Sequence, residues 1–144
     1  MNNASLTALV AAEIEALHVE FELWFGGESK TLSRVESVLA ADFHLVSPRG
    51  DIVALDDLLA GLRAARNSRH ISIRIEQPAV LWHDSTTVLA TYQEWHDHTD
   101  YSTARQTTVL FSLDDAAPGG LQWRHVHETW IMPPPTWVVP PPNG

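Results

Sequence analysis

Apolar residues recur near the start of the chain at Leu6, Val10, Ile14, Leu17, Phe21 and Trp24. Steps of four, four, three, four and three trace one face of a long helix. Glu13, Glu15, Glu20 and Glu22 fall mostly off that face, and Gly26-Gly27 closes it. Ser33-Arg34-Val35-Glu36 reads as a capping box opening a second helix, Ser33 to Ala41, with Val35, Val38 and Leu39 as its apolar stripe. Asp42 to Ser47 reads as a short strand, closed by a turn at Pro48-Arg49-Gly50-Asp51. Leu55, Leu58, Leu59 and Leu62 mark a third helix. From His70 to Glu76, Ile71, Ile73 and Ile75 alternate with Ser72, Arg74 and Glu76, the pattern of a strand. Pro78 interrupts it, and Ala79 to His83 resumes extended structure.

Three further strands follow, Thr86 to His96, Ala104 to Leu113 and Leu121 to Met132. Side chains alternate between the faces of a strand, so Val88, Ala90, Tyr92 and Glu94 share one side. A loop centred between Thr99 and Asp100 sets Glu94 opposite Arg105 and Tyr92 opposite Thr107. A second centred near Ala117 sets Thr107 opposite His127 and Val109 opposite His125. The shared face is then apolar at one end, with Val88, Ala90, Val109, Phe111 and Trp123. Its other end carries Tyr92, Glu94, Arg105, Thr107, His125, His127 and Thr129, as the mouth of a pocket would. The opposite face carries Thr91, Gln93, Trp95, Gln106, Thr108, Leu110, Arg124, Val126, Glu128 and Trp130. One shifted register or bulge would exchange the two faces.

Composition narrows the functional classes. A chain of 144 residues with 44% hydrophobic content and six tryptophans can bury a core. The formal net charge of −9 argues against nucleic acid or an anionic membrane as partner. Without cysteine there is no disulfide, thiolate metal site or cysteine nucleophile. No apolar run reaches the roughly 18 to 20 residues of a membrane span. The amphipathic start has no basic leader, so a soluble cytoplasmic protein is expected. The tail, Pro133-Pro134-Pro135 through Pro140-Pro141-Pro142, reads as polyproline-like and outside the core.

Helix, helix, strand, helix and then a meander of strands is an α+β order, with three N-terminal helices covering one side of a curved, mainly antiparallel sheet. The run Asp42-Phe43-His44-Leu45-Val46-Ser47-Pro48-Arg49-Gly50 and the strand Trp123-Arg124-His125-Val126-His127-Glu128-Thr129-Trp130 carry a resemblance at this point. The chain resembles the nuclear transport factor 2-like superfamily, the cone fold shared with ketosteroid isomerase and SnoaL-like polyketide cyclases. Its last strand is similar to the one that closes the kinase association domain of that superfamily. The resemblance implies one domain over residues 1–132, a tail over 133–144, and a pocket between helices and concave sheet. It also implies a homodimer formed back to back through the outer sheet face, and no metal or other cofactor. In ketosteroid isomerase a general-base aspartate stands where this chain has Ser47. A hydroxyl without an adjacent base does not abstract a carbon-bound proton at useful rates, which argues against that isomerisation.

The candidate groups each admit two roles. His18, between Ile14 and Phe21, is either a hydrogen-bonded core-edge residue or a donor at the pocket mouth. Glu94 and Arg105 form either a register-fixing ion pair or an oxyanion fork, with Arg105 gripping a ligand carboxylate. His125 and His127 form an H-x-H that could start a metal site with Glu94 or His18. His96-Asp97-His98 is expected in a solvated loop. For catalysis the expected pair is His127, as general acid or base, with Glu94 setting its tautomer. Arg105, Tyr92, His18, Thr107, His125 and Ser47 would contact the ligand. The expected function is a small-molecule-binding cone-fold protein, in its enzymatic form a lyase, isomerase or cyclase acting on a carbonyl or carboxylate compound. The alternative is a non-catalytic interaction or assembly domain.

Overall fold

The computed structural model describes residues 2–136. Trp137 and the second proline cluster of the tail lie outside the described residues. Helix α1 spans Asn3–Phe25, and its first turn is capped by the Asn2 side chain, which accepts from the Ser5 amide at 2.8 Å. It buries Leu6, Val10, Ile14, Leu17 and Trp24 as the spacing predicts, and Glu13, His18 and Phe25 as well. Gly27, at φ 82°, reverses the chain beyond its end.

Helix α2, Ser33–Val38, is shorter than expected, because strand β1 already begins at Leu39 and runs to Val46. Its N-cap is Leu32 without a side-chain hydrogen bond, so the capping box does not form. Glu36 instead pairs with Arg63 at 3.0 Å. Strand β2, Ile52–Ala54, folds back on β1 across the turn seen at Pro48 to Asp51. Helix α3, Leu55–Ala64, follows β2, so two helices are N-terminal and the third sits after the first hairpin.

Strand β3, Ser72–His83, continues through Pro78 rather than breaking there. It is an edge strand, so the missing proline N–H need not face a neighbour, and the register shifts between Glu76 and Ala79. Strands β4 (Thr87–Asp97), β5 (Ser102–Leu113) and β6 (Leu121–Met132) complete a six-stranded curved sheet of order β2-β1-β6-β5-β4-β3. Among the described residues only β1 and β6 pair in parallel. Val88, Ala90, Val109, Phe111 and Trp123 join the apolar face of α1 in the core. Burying these side chains is the main driving force holding helix to sheet. No helix among the described residues is long and apolar enough to cross a membrane.

The β4–β5 register is the expected one, with Tyr92 opposite Thr107 and Glu94 opposite Arg105. The β5–β6 register is the expected one only beside the loop, from Leu113↔Leu121 to Phe111↔Trp123. Phe111 faces Trp123 while Leu110 faces His125, leaving Arg124 as an extra residue in a bulge. Beyond it the faces of β6 are exchanged, so Thr107 faces Glu128 and Val109 faces Val126. A second irregularity sets Ala104 against Met132 and Arg105 against Trp130.

Candidate functional site

A cavity of about 280 Å³ opens between α1, α3 and the inner sheet face. Its apolar wall includes Leu17, Phe21, Phe25, Phe43, Leu58 and Trp123. Its polar wall is His18, Tyr92, Glu94, His96, Arg105 and Glu128, with Arg69 also lining it. This volume is nearly twice the roughly 150 Å³ that holds a benzene molecule in an engineered protein cavity.

His18 is held on α1 by the carbonyl of Ile14, to which Nδ1 donates at 2.7 Å. Nε2 then faces Glu94 Oε1 at 2.9 Å. A carbonyl and a carboxylate each require a donor, so this geometry favours the doubly protonated ring. Burial works against that charge, but the charge and hydrogen bond of Glu94 and the Ile14 carbonyl raise the His18 pKa overall. The other oxygen of Glu94 receives His96 Nε2 at 2.5 Å. Burial disfavours the Glu94 carboxylate, yet His18, His96 and Arg105 together hold it well below the usual carboxylate range. Glu94 is a fixed negative charge. It lies across from Arg105 in register, but its hydrogen-bond partners are the two histidines.

Arg105 turns instead to Glu128, with Nη1 3.3 Å from Oε2. Its guanidinium carbon lies 4.9 Å from the centre of the Trp130 ring, and Nε is buried without a partner among the described residues. Burial, then the charge of Glu94, push Glu128 up to about 7 against the pull of Arg105. Tyr92 packs edge-on to His18 at 5.5 Å, and burial with the two carboxylates keeps its phenol protonated well beyond the ordinary range. Thr107, opposite both Tyr92 and Glu128, is fully buried and its hydroxyl has no partner among the described residues.

Of the expected residues, His18, Tyr92, Glu94 and Arg105 meet around one cavity. Thr107 lies beneath them in the sheet. His125 and His127 do not join them, because the bulge at Arg124 turns both to the outer face. There His125 packs on His44 with ring centres 4.6 Å apart, and His127 is exposed. Burial, then the neighbouring His44 and His127, lower the His125 pKa. The expected H-x-H metal start is therefore split from Glu94 and His18 by the thickness of the sheet. Among the described residues no group of three or more histidine or acidic side chains could hold a metal ion. Thr129 is likewise exposed, while Val126 and Glu128 turn inward. Ser47 stands at the β1–β2 turn, where its hydroxyl accepts from the amides of Arg49 and Asp51 at 3.2 Å.

Glu128, His96 and Arg69 are cavity residues that the sequence pattern missed. The His96-Asp97-His98 pattern suggests a solvated loop, but β4 extends through Asp97 and carries His96 to the site. Glu128 needed the bulge, whose extra residue bears no glycine or proline signal. Arg69 lies between α3 and β3, where no periodicity applies.

The chain matches the family model described as Sucrose-6-phosphate phosphohydrolase C-terminal over residues 11–132. Sucrose-phosphatase 1 of Nicotiana tabacum is 28% identical over 132 residues, which cover 85% of this chain and 31% of that protein. The chain thus spans about a third of the length of this curated relative. A nuclear transport factor 2-like protein of unknown function from Pseudomonas aeruginosa has a solved structure similar at a TM-score of 0.78 and 27% identity, covering 85% of this chain and 98% of that one. The association domain of C. elegans CaMKII is similar at a TM-score of 0.69 and 11% identity, covering 88% and 97%. At that identity the likeness concerns the fold, which is the nuclear transport factor 2-like cone.

Proposed function

The chain belongs to the sucrose-6-phosphate phosphohydrolase C-terminal family, and we propose that its own part is to bind a small organic molecule in the concave cavity and exchange a proton with it through Glu128. The observation that carries this reading is the placement of the Glu128 carboxyl. It is buried at the cavity wall beside Arg105, and its pKa of about 7 lets it both give and take a proton near neutrality. Glu94, pinned between His18 and His96, would orient that machinery without exchanging its proton. Tyr92, held protonated, would donate a hydrogen bond to a ligand oxygen. Arg105 would anchor an anionic or carbonyl group. The size of the cavity, just below the roughly 300 to 1,000 Å³ of drug-sized sites, suits one ring rather than two. A sugar phosphate of the kind named in the relatives would then enter only in part.

The test is a thermal-shift screen of single-ring carboxylates and carbonyl compounds from pH 5 to 8, followed by turnover assays on any compound that stabilises the fold. For a converted compound, a kcat/KM profile with an inflection near pH 7 is expected, and Glu128→Gln should abolish turnover while retaining affinity. Turnover undiminished in that variant would remove Glu128 from the chemistry.

Self-assembly is the second reading, and the likeness to an association domain favours it. The interface would be the outer sheet face, where Trp95 and Leu110 are half-buried among polar residues. Light scattering on the purified protein distinguishes a homodimer from a monomer. A stable assembly with no ligand in the screen would make assembly the primary role.

A further inference from the structure

On a chain of formal charge −9, the cavity runs against the overall sign. Two guanidiniums line it, Arg69 and Arg105, together with a His18 ring whose contacts favour its cationic form. Glu94 is spoken for by two histidines, and Glu128 pairs, among the described residues, with Arg105. Arg69 makes no ion pair among the described residues, and its guanidinium carbon stacks 4.1 Å from the centre of the Phe25 ring. Burial, then the charge of Arg105, lower its pKa, so the two guanidiniums lie close enough to repel each other. Arg105 carries a buried Nε donor that nothing in the described residues satisfies, and its contact with Glu128 is long, at 3.3 Å. An unsatisfied buried donor beside a loosely held carboxyl is a costly arrangement unless another acceptor serves it.

Resting on the reading of this cavity as a ligand site, we infer that its ligand is a small organic anion whose oxyanion group seats between Arg69 and Arg105, displacing the Glu128 carboxyl from Arg105. The oxyanion accepts from Arg105 Nε and a terminal nitrogen, the two-point geometry that guanidinium favours. It also screens the repulsion between the guanidiniums, while its apolar body lies against Phe21, Phe25 and Trp123. Glu128 serves as the internal stand-in for that anion. Around it stand Glu94 and Tyr92 on β4, Arg105 on β5 and His18 on α1. Once Arg105 is drawn away and a second negative charge arrives, only the protonated carboxyl suits this site. Ligand binding therefore carries a proton onto Glu128, and affinity falls as pH rises above neutrality.

The probe is benzoate, whose ring is the size of benzene, titrated calorimetrically at pH 7.5 in two buffers of different ionisation enthalpy. Benzamide and methyl phosphate are run alongside. Benzoate should bind at least about tenfold tighter than benzamide, a factor that corresponds to one charge-assisted contact. Its binding should take up a fraction of a proton that approaches one. Arg69→Gln, at an exposed position, should weaken benzoate by roughly the same factor. Glu128→Gln should bind it at least as tightly with no proton uptake. Whichever of benzoate and methyl phosphate binds tighter assigns the oxyanion as carboxylate or phosphate ester. Benzamide binding as tightly as benzoate, or unchanged affinity in Arg69→Gln, overturns the anion assignment and leaves the ligand site standing. Silence from all three probes in a folded protein overturns both.

Discussion

Two buried carboxyls, Glu13 and Glu128, sit in one core and are treated in opposite ways. Glu13 is 1% exposed, and both its oxygens are engaged: Arg34 reaches Oε1 at 2.8 Å and Oε2 at 3.3 Å, and the Trp123 indole donates to Oε2 at 2.9 Å. Gly119 packs so tightly beside it that a Cβ there would collide with the carboxylate. Glu128 is 7% exposed, faces a cavity, and has one distant contact with Arg105. A carboxyl whose lone pairs are filled and whose surroundings are closed can only hold the structure together. One left half-satisfied beside open space keeps its proton exchangeable. Burial alone does not distinguish structural from functional acids; the number of donors and the presence of space do.

Removing Glu13 should have the largest effect. Glu13→Ala leaves the Trp123 N–H buried without a partner and strands Arg34, a quarter of whose side chain is exposed. Breaking a buried pair from one side costs on the order of 3–5 kcal/mol, and the exposure of Arg34 sets this case toward the lower end. Urea denaturation at pH 7 should show it as a lower midpoint at unchanged slope. A loss below about 1 kcal/mol would place Glu13 with the exposed ion pairs instead.

Neither role was legible at the level of pattern. The helical spacing of α1 identifies Leu6, Val10, Ile14 and Leu17 as its buried face, because a 3.6-residue period needs only local information. Glu13 lies beside that face and is buried because Arg34 and Trp123, both far along the chain, arrive with donors to satisfy it. His18 was readable as buried, but its partner Glu94 was assigned to Arg105, since register gives facing backbones and not the direction of long side chains. The β4–β5 pairing was readable because a short polar loop joins two regular strands. The β5–β6 pairing was readable only from the loop to Trp123, because one extra residue at Arg124 inverts everything beyond it. The chemistry of the site thus rests on a single bulge, which placed Glu128 where alternation expected His127.

Replacing Glu128 should have a smaller effect and the opposite sign. Its folded pKa of about 7 lies above the ordinary 4.5, so between these values the folded state binds more protons than the unfolded one. Stability from this group is therefore full below about pH 4.5, declines as pH rises, and reaches its lowest value above pH 7. Glu128→Gln, which mimics the protonated form, should match the wild type near pH 4.5 and exceed it at pH 8 by about 1–3 kcal/mol. A difference that does not change with pH would mean that the carboxyl titrates normally and that the contrast with Glu13 is one of packing alone.

The smallest effect is expected at His127. Exposed on the outer face, it has no hydrogen bond to the cavity groups, so His127→Ala should alter stability by no more than about 0.5 kcal/mol. It should also leave the affinity of any cavity ligand unchanged, while Glu128→Gln removes the proton linked to binding. The two residues are adjacent in sequence, and β6 turns them to opposite faces of the sheet. A His127→Ala variant that loses ligand affinity, with Glu128→Gln unaffected, would mean that β6 pairs with β5 without the bulge at Arg124. The inner face would then carry the histidines, and the half-satisfied acid of the cavity would become a surface residue.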